Sequence, residues 1–462
     1  MSGVLALAEV GVPLAALGGG VAYARVKAPA LYWSAIGLPI TATRFSATYS
    51  SIMDACGLTV APSSFRIAVT RATTRREIRP VPPRIRRVRP TTTGLTVRLR
   101  LAPGQEPADL VASTERLRHA WGVHSVHVAV IKPGVVELRM TGYDVLRKVR
   151  MPRASAAGEL AVPVALREDG TAFVRDYRAV PHALTLGTTL SGKSMYLRNL
   201  ITQLARTEVA LVGIDCKRGV EQAPFASRMT ALATDPEMAS DLLDKLVELM
   251  EGRYDLIRSF QNIPSAILSE EITSDVWGLP AKLRPVPIIL VVDEVAELFM
   301  AATRKDEERR DRMVTQLIRL AQLGRGAHIY VEACGQRFGA ELGKGATMLR
   351  AQLTGRVVHR VNDKATAEMG LGDVSPNAVF AATQIAPDLP GVAVAGDSSG
   401  GWSRIRAPHL TLAEAAAICR ANSHRTPAVE QLERFRPYVP PTVAIPPKPT
   451  FPPHFAASPV AE

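Results

Sequence analysis

Apolar runs recur through the second half of the chain, at Ala183 to Leu186, Val209 to Ile214, Pro287 to Val292, His328 to Ala333 and Gly355 to Val361, with helical stretches between them. Strands that are apolar at nearly every position are buried on both faces. Their alternation with helices predicts an α/β unit over 153–425, a parallel sheet covered by helices. Upstream the pattern changes. Leu95, Val97 and Leu99 alternate with polar residues, Pro107 to Trp121 has the spacing of an amphipathic helix, and Val126, Val128 and Val130 alternate again. After Pro133-Gly134 a further strand is expected around Val135 to Met140, which makes a small α+β unit over 93–152.

Both termini read differently from these units. Val10 to Ala24 and Ala28 to Thr43 are uncharged, and each is shorter than the roughly 20 apolar residues that span a bilayer. Three readings stay open for 1–65: a marginal membrane anchor, an interfacial segment or a buried hairpin. Residues 66–100 hold eleven arginines against one acid, Glu77, and prolines at 80, 82, 83 and 90 exclude a helix. An extended basic linker is expected over 66–92, either a solvated connector or an arm for phosphates or lipid headgroups. Nine prolines between 437 and 459 predict a disordered or polyproline tail over 426–462.

Composition adds a bias in charge. Fifty-six Lys and Arg against 43 Asp and Glu leave +13, which favours polyanionic partners, either nucleic acid or an anionic membrane face, over a merely basic background. Cys56, Cys216, Cys334 and Cys419 form no C-x-x-C pair, which argues against a zinc ribbon or a disulfide framework and for reduced cytosolic thiols.

The candidate chemistry lies at the ends of two of the apolar strands. Gly187-Thr188-Thr189-Leu190-Ser191-Gly192-Lys193-Ser194 satisfies G-x-x-x-x-G-K-[ST] between a strand and the helix Met195 to Arg206. Backbone N–H groups of such a loop wrap the phosphates of ATP, Lys193 reaches the β- and γ-phosphates, and the Ser194 hydroxyl ligates Mg²⁺. About 100 residues on, Pro287 to Glu294 is an apolar strand ending in two carboxylates. Asp293 is expected to hold Mg²⁺ through water, and Glu294 to orient or deprotonate the attacking water. An Asp-Glu pair at a strand end is usually only a polar exit; behind this loop it reads as a nucleotide site.

Further stretches resemble the FtsK/SpoIIIE family of DNA translocases: Ile214 to Glu221, Met250-Glu251-Gly252-Arg253-Tyr254, Val292 to Leu298, Arg319 to Ala327 and Gln336-Arg337. The resemblance holds in register from Gly187 to Arg420, and the unit at 93–152 resembles the small domain before the family's motor. It implies a RecA-like P-loop ATPase that moves double-stranded DNA as a homo-oligomeric ring, most simply a hexamer. It also implies that Arg325 acts in trans on a neighbour's γ-phosphate and that Gln336 senses that phosphate. Asp215 and Lys217 fit the family's D-x-K, or an internal ion pair. Departures are Leu190 where the family's loop has Gly, Gly335 and Phe338 in its T-Q-R-P exit, and a charged insertion around Arg304 to Arg312 expected as a helical extension.

A short, weakly apolar N-terminus and no room for a winged helix after residue 425 resemble the transfer ATPases of actinobacterial plasmids and integrative elements, at the cytoplasmic face of the membrane or in the cytoplasm. Alternatives are a chromosome-segregation translocase, a secretion ATPase of the same superfamily that moves protein, and a non-motor NTP-binding regulator. DNA-stimulated hydrolysis separates the DNA motors from the other two.

Overall fold

The uncharged run beginning at Ala28 is helical in the computed structural model, which describes residue 23 and residues 27–61, 80–152, 158–261 and 273–439. After a short helical lead-in from Pro29, the helix Leu38–Ala55 buries Thr41, Phe45, Tyr49 and Met53, one residue per turn at i, i+4 spacing. Phe45 lies 5.0 Å from the Trp121 ring, and the Tyr49 hydroxyl donates to the Pro83 carbonyl at 2.7 Å. On the outer face Ser and Thr hydroxyls donate to carbonyls one turn back, as Thr43 does to Pro39 and Ser46 to Ala42, and Leu31 and Ile40 are exposed beside them. In its described part the run is a docked helix, the reading nearest the buried hairpin among the three left open. Among the described residues no helix is long and apolar enough to cross a membrane. The run Val10 to Ala24 lies almost entirely outside them.

This helix packs on a four-stranded antiparallel sheet of order β1-β2-β4-β3, formed by Arg84–Pro90 (β1), Gly94–Arg100 (β2), Ser125–Lys132 (β3) and Val135–Thr141 (β4). Between β2 and β3 the expected amphipathic helix is two, Pro107–Ala112 and Thr114–Trp121, with Leu110, Leu117 and Trp121 buried. The linker expected over 66–92 needs correcting, since its described end is β1. Prolines 80, 82 and 83 precede the strand and Pro90 ends it, so they bar a helix without barring an edge strand. Its residues 66–79 are outside the described ones.

The larger unit is a ten-stranded sheet of order β6-β5-β14-β13-β12-β7-β11-β10-β8-β9. The expected parallel strands are Ala183–Leu186 (β7), Ala210–Ile214 (β8), Ile288–Val292 (β10), Ile329–Gly335 (β11) and Gly355–His359 (β12), joined by Met229–Ala233 (β9) at one edge. The all-parallel expectation needs a second correction. Ala161–Arg167 (β5), Ala172–Asp176 (β6), Val392–Gly396 (β13) and Trp402–Arg406 (β14) extend the sheet beyond β12 as an antiparallel wing. The parallel strands supply both cores: Leu211, Ile289, Val291 and Tyr330 face the helix Lys193–Leu204, while Val212, Leu290, Val292 and Val331 face the helices Pro236–Gln261 and Arg304–Leu323. The charged insertion is the start of the last of these, capped where the Thr303 hydroxyl accepts from the Asp306 N–H at 3.2 Å.

The expected tail also begins later than its prolines suggest. Val429, Leu432 and Phe435, around the turn Glu430–Phe435, join the main core against β9 and the helix Pro236–Gln261, so the packed chain runs past 426. Residues 440–462 are outside the described ones.

Small sheet and motor meet through His127 of β3 and Glu168, which form an ion pair, and His127 stands edge-on to Trp402 at 5.4 Å. Burial opposes charge on the His127 imidazole, but the Glu168 carboxylate more than offsets it and holds the pKa above its ordinary 6.5. Burial likewise opposes the Glu168 carboxylate, and His127 brings its pKa below the ordinary 4.5. A raised histidine pKa contributes stability that is full below about pH 6.5 and is lost as pH rises through the folded value. His127→Asn should therefore weaken the docking of the two units most near pH 6, and the difference from the parent should shrink toward pH 9, read by limited proteolysis across that range.

Candidate functional site

Parallel strands all end on one edge of the sheet, and loops leaving that edge make the cleft where α/β folds bind ligands. Here β11 lies between β7 and β10, so the segment leaving Gly335 is set between the loop after β7 and the carboxylates after β10. The Gly187 N–H donates to Gly335 O at 3.2 Å, and Thr188 donates to Arg360 O beyond β12 through both its N–H and its hydroxyl, each at 3.1 Å. The loop is thus fastened to the strands on both sides of β7.

Gly192 ends the loop with φ +103°, and a Cβ there would lie 2.2 Å from the N of Gly391, whose N–H donates to Ser191 O at 2.8 Å. Only glycine fits. Leu190 takes φ +63° with its side chain 87% exposed, so the position where the family has glycine keeps glycine's conformation, at a cost of about 1 kcal/mol and with no packing in return. Thr189 beside it is also exposed. The Ser191 hydroxyl is buried within the loop without a hydrogen-bond partner, and Ser194 stands half-buried in the first helical turn.

Lys193 opens the helix Lys193–Leu204 and turns to the strand ends: its Nζ donates to Asp293 O at 3.2 Å and to Glu294 Oε2 at 3.3 Å. Both carboxylates are buried, Asp293 to 2% exposure and Glu294 to 8%. Glu294 Oε1 accepts the Gln336 N–H at 3.3 Å, and a Cβ on Gly335 would stand 3.1 Å from that oxygen. The departure to Gly335 therefore makes room for the glutamate. Phe338, in place of proline, is buried against Phe299 at 6.0 Å.

Lys217 comes from the loop after β8, and its Nζ lies 3.3 Å from Asp293 Oδ2 and 3.8 Å from Glu294 Oε2. Burial works against its charge, yet Asp293 and Glu294 outweigh it and raise the ammonium pKa. Asp215 plays a different part. Its carboxylate accepts the N–H groups of Lys217, Glu221 and Gln222, which closes the loop and leaves the Lys217 ammonium to the β10 carboxylates. A cleft of about 310 Å³ opens in front, lined by Thr188, Lys217, Glu294, Gln336, Arg337 and Asp363. The larger cavity, about 1130 Å³, lies by His127, Glu168 and Arg404 between the two units and includes no residue of the phosphate loop.

Residues near the loop carry no motif of their own. His359, at the end of β12, lies under Gly187, and burial first, with the charge of Lys193 adding, lowers its pKa to about 4, so it packs there neutral. Arg337 pairs with Asp363 at 2.5 Å, and Asp363 caps the helix Lys364–Leu371 by accepting the Thr366 N–H at 2.7 Å. Apart from the local Asp363 cap, these contacts join segments far apart in the chain, which leaves no local pattern to read.

Arg325 is not among them. It sits exposed in the turn Gly324–Ala327, before β11 begins, whereas the phosphate loop lies beside that strand's last residue. Seven residues of strand put about 20 Å between them. The turn is held from behind by the Met250 to Tyr254 motif. Buried Arg253 donates to Ala327 O at 2.7 Å and to Val286 O at 2.8 Å, and the Tyr254 hydroxyl donates to Leu323 O at 2.7 Å.

The loop fits a nucleotide's phosphates: a glycine that nothing else can replace, an unpartnered buried hydroxyl and a lysine aimed at the strand ends. Among the described residues no group of three or more His, Cys, Asp or Glu could hold a metal ion. The donors near Lys193 are the Ser194 hydroxyl and the carboxylates of Asp293 and Glu294, and a hydroxyl with one or two carboxylates suits Mg²⁺ held together with phosphate oxygens.

Residues 21–142 match the family described as the actinomycete conjugal transfer protein N-terminal domain, and residues 145–340 match the FtsK/SpoIIIE family. The sequence is 59% identical over 393 residues to the transfer protein TraSA of Streptomyces ambofaciens, covering 85% of this chain and 95% of that protein. It is 28% identical over 286 residues to the DNA translocase FtsK of Tropheryma whipplei, covering 57% of this chain and 36% of that longer protein. Among solved structures, the conjugation coupling protein TcpA of pCW3, in monomer form with ATPgS, aligns with a TM-score of 0.49 at 18% identity, over 79% of this chain and 94% of that one.

Proposed function

This chain belongs to the FtsK/SpoIIIE family, in the branch of actinomycete conjugal transfer proteins, and we propose that it hydrolyses ATP to drive double-stranded DNA between cells. The observation that supports this best is the convergence at the strand ends: Lys193 lies 3.3 Å from Glu294, with Asp293 and Lys217 beside it. In this reading the 187–194 loop binds the phosphates, and Lys193 passes from Glu294 to the β- and γ-phosphates as ATP enters. Freed from the lysine, Glu294 takes a proton from the attacking water, and Gln336, bound through its N–H to that carboxylate, couples loss of the γ-phosphate to β11. Mg²⁺, held by Ser194 and through water by Asp293, would neutralise charge on the phosphate oxygens.

The working form in this reading is a ring, a hexamer, in which Arg325 of each subunit completes a neighbour's site. It acts at the cytoplasmic face of the membrane, where DNA leaves the cell. The chain divides into a small domain ending near 142 and a motor that runs from about 145 past 425, with β1 and the helix Leu38–Ala55 belonging to the first.

The test is the ATPase rate with and without long duplex DNA of random sequence. Severalfold stimulation is expected, with a preference among duplexes far below the roughly 10³ of true site readers. A rate indifferent to duplex DNA would remove the reading and favour a secretion ATPase or a nucleotide-bound regulator.

A further inference from the structure

Residues paired directly across strands share a face of their sheet. On the helix-covered face of the small sheet stand Leu95, Val97, Leu99, Val136, Leu138 and Met140, all buried. Register puts a different set on the opposite face. Arg84 pairs with Arg100, Arg87 with Arg98 and Arg89 with Thr96, and the last two rows continue into Glu137 and Arg139 of β4. Lys132 of β3, paired with Val135, ends the first row. This face is thus an array of cations with one acid, Glu137, exposed along β1 and meeting the motor at His127 of β3.

That acid is internal to the array. Glu137 accepts from Arg98 at 2.8 Å and from Arg139 at 3.1 Å, which fixes two guanidinium groups in the middle of the face. Among the described residues Arg84, Arg87, Arg89 and Arg100 have no carboxylate partner, and all four are exposed. Six of the seven cations are arginine, whose planar fork matches phosphate oxygens in pairs.

We propose that this face is a second binding surface for double-stranded DNA, separate from the ATP site and its motor, which grips the phosphate backbone without reading sequence. The proposal rests on the reading of this chain as a duplex-DNA motor. Repeated cations on an extended lattice suit a ligand whose anions repeat, and a duplex carries one charge per about 1.7 Å of axis. A lipid surface fits less well. The exposed apolar residues of β1, Ile85 and Val88, pair with Leu99 and Val97 and so belong to the other face, which leaves half-buried Val135 as the one large apolar side chain among the register-paired residues here, too little to enter a bilayer. The row through Arg139 ends at His127 and Asp169, 3.7 Å from Arg139, so a duplex on this face would continue toward the motor.

The experiment uses the full chain and a fluorescent random-sequence duplex, with affinity measured across a salt series. Combining Arg87→Ala, Arg89→Ala and Arg100→Ala should weaken binding about tenfold or more at low salt. It should also flatten the salt slope by about 0.9 for each phosphate no longer neutralised, between about 2 and 3 in all. The matching lysine variants should keep the slope, which separates phosphate binding from a fold defect. If the alanine variant melts early, the single change Arg89→Glu carries the same expectation at smaller amplitude. A parent affinity and slope in these variants overturn the proposal and leave the motor reading intact. Loss of binding to phosphatidylserine vesicles with unchanged duplex binding also overturns it, in favour of a headgroup site. A parent chain that binds no duplex removes both.

Discussion

Glu294→Gln should bind ATP about as tightly as the parent and turn it over 10²- to 10⁴-fold more slowly, roughly the range that a positioned general base contributes. The amide has the carboxylate's shape, so it can still accept the Gln336 N–H at 3.3 Å. It cannot take up a proton. Lys193 and Lys217, at 3.3 and 3.8 Å from Glu294, would face one negative charge fewer, but both keep Asp293 close by, through its carbonyl at 3.2 Å for Lys193 and its carboxylate at 3.3 Å for Lys217. The fold should therefore survive. Fluorescent-nucleotide titration and phosphate release together make the check, and parent-rate hydrolysis in Glu294→Gln would show that the base lies elsewhere.

Arg325→Ala and Lys193→Ala should each abolish DNA-stimulated hydrolysis, and a mixture of the two should partly restore it. Arg325 stands about 20 Å from its own phosphate loop, at the far end of β11, too far to reach it, and the proposed ring assigns it to a neighbour's site. An arginine brought to the transferring phosphoryl group from outside is worth about 10³-fold or more in rate. In a mixed ring, some junctions pair an intact loop with an intact arginine, and the recovered rate should peak at an intermediate mixing ratio. If mixed oligomers form and no ratio restores hydrolysis, the shared site is wrong.

The catalytic edge of this fold is legible in the sequence because its residues are bound to strong local patterns. Buried parallel strands announce themselves by apolar runs, and a phosphate loop needs its glycines and lysine in a fixed order. Features held together across the sheet leave no such trace. Lys217 reaches Asp293 only because β8 lies next to β10, 76 positions away in sequence. The antiparallel wing reads poorly because its strands are short and mixed, as Ala172–Asp176 is. In β1 every residue is exposed, so no alternation betrays a strand among the arginines. The turn Glu430–Phe435 is hidden by the prolines after it, although Leu432 and Phe435 are apolar and spaced for one face.

That turn bears on where the chain can be cut or joined to another. Val429, Leu432 and Phe435 fill the ground beside β9 and the helix Pro236–Gln261, and Arg434 pairs with Asp241 of that helix at 3.2 Å. Each such apolar side chain contributes about 2 kcal/mol by leaving water. A boundary drawn at 426, ahead of the prolines, would strip this latch from the outermost strand and bare a greasy furrow on the motor's flank. A fusion partner placed after residue 439 leaves the latch shut.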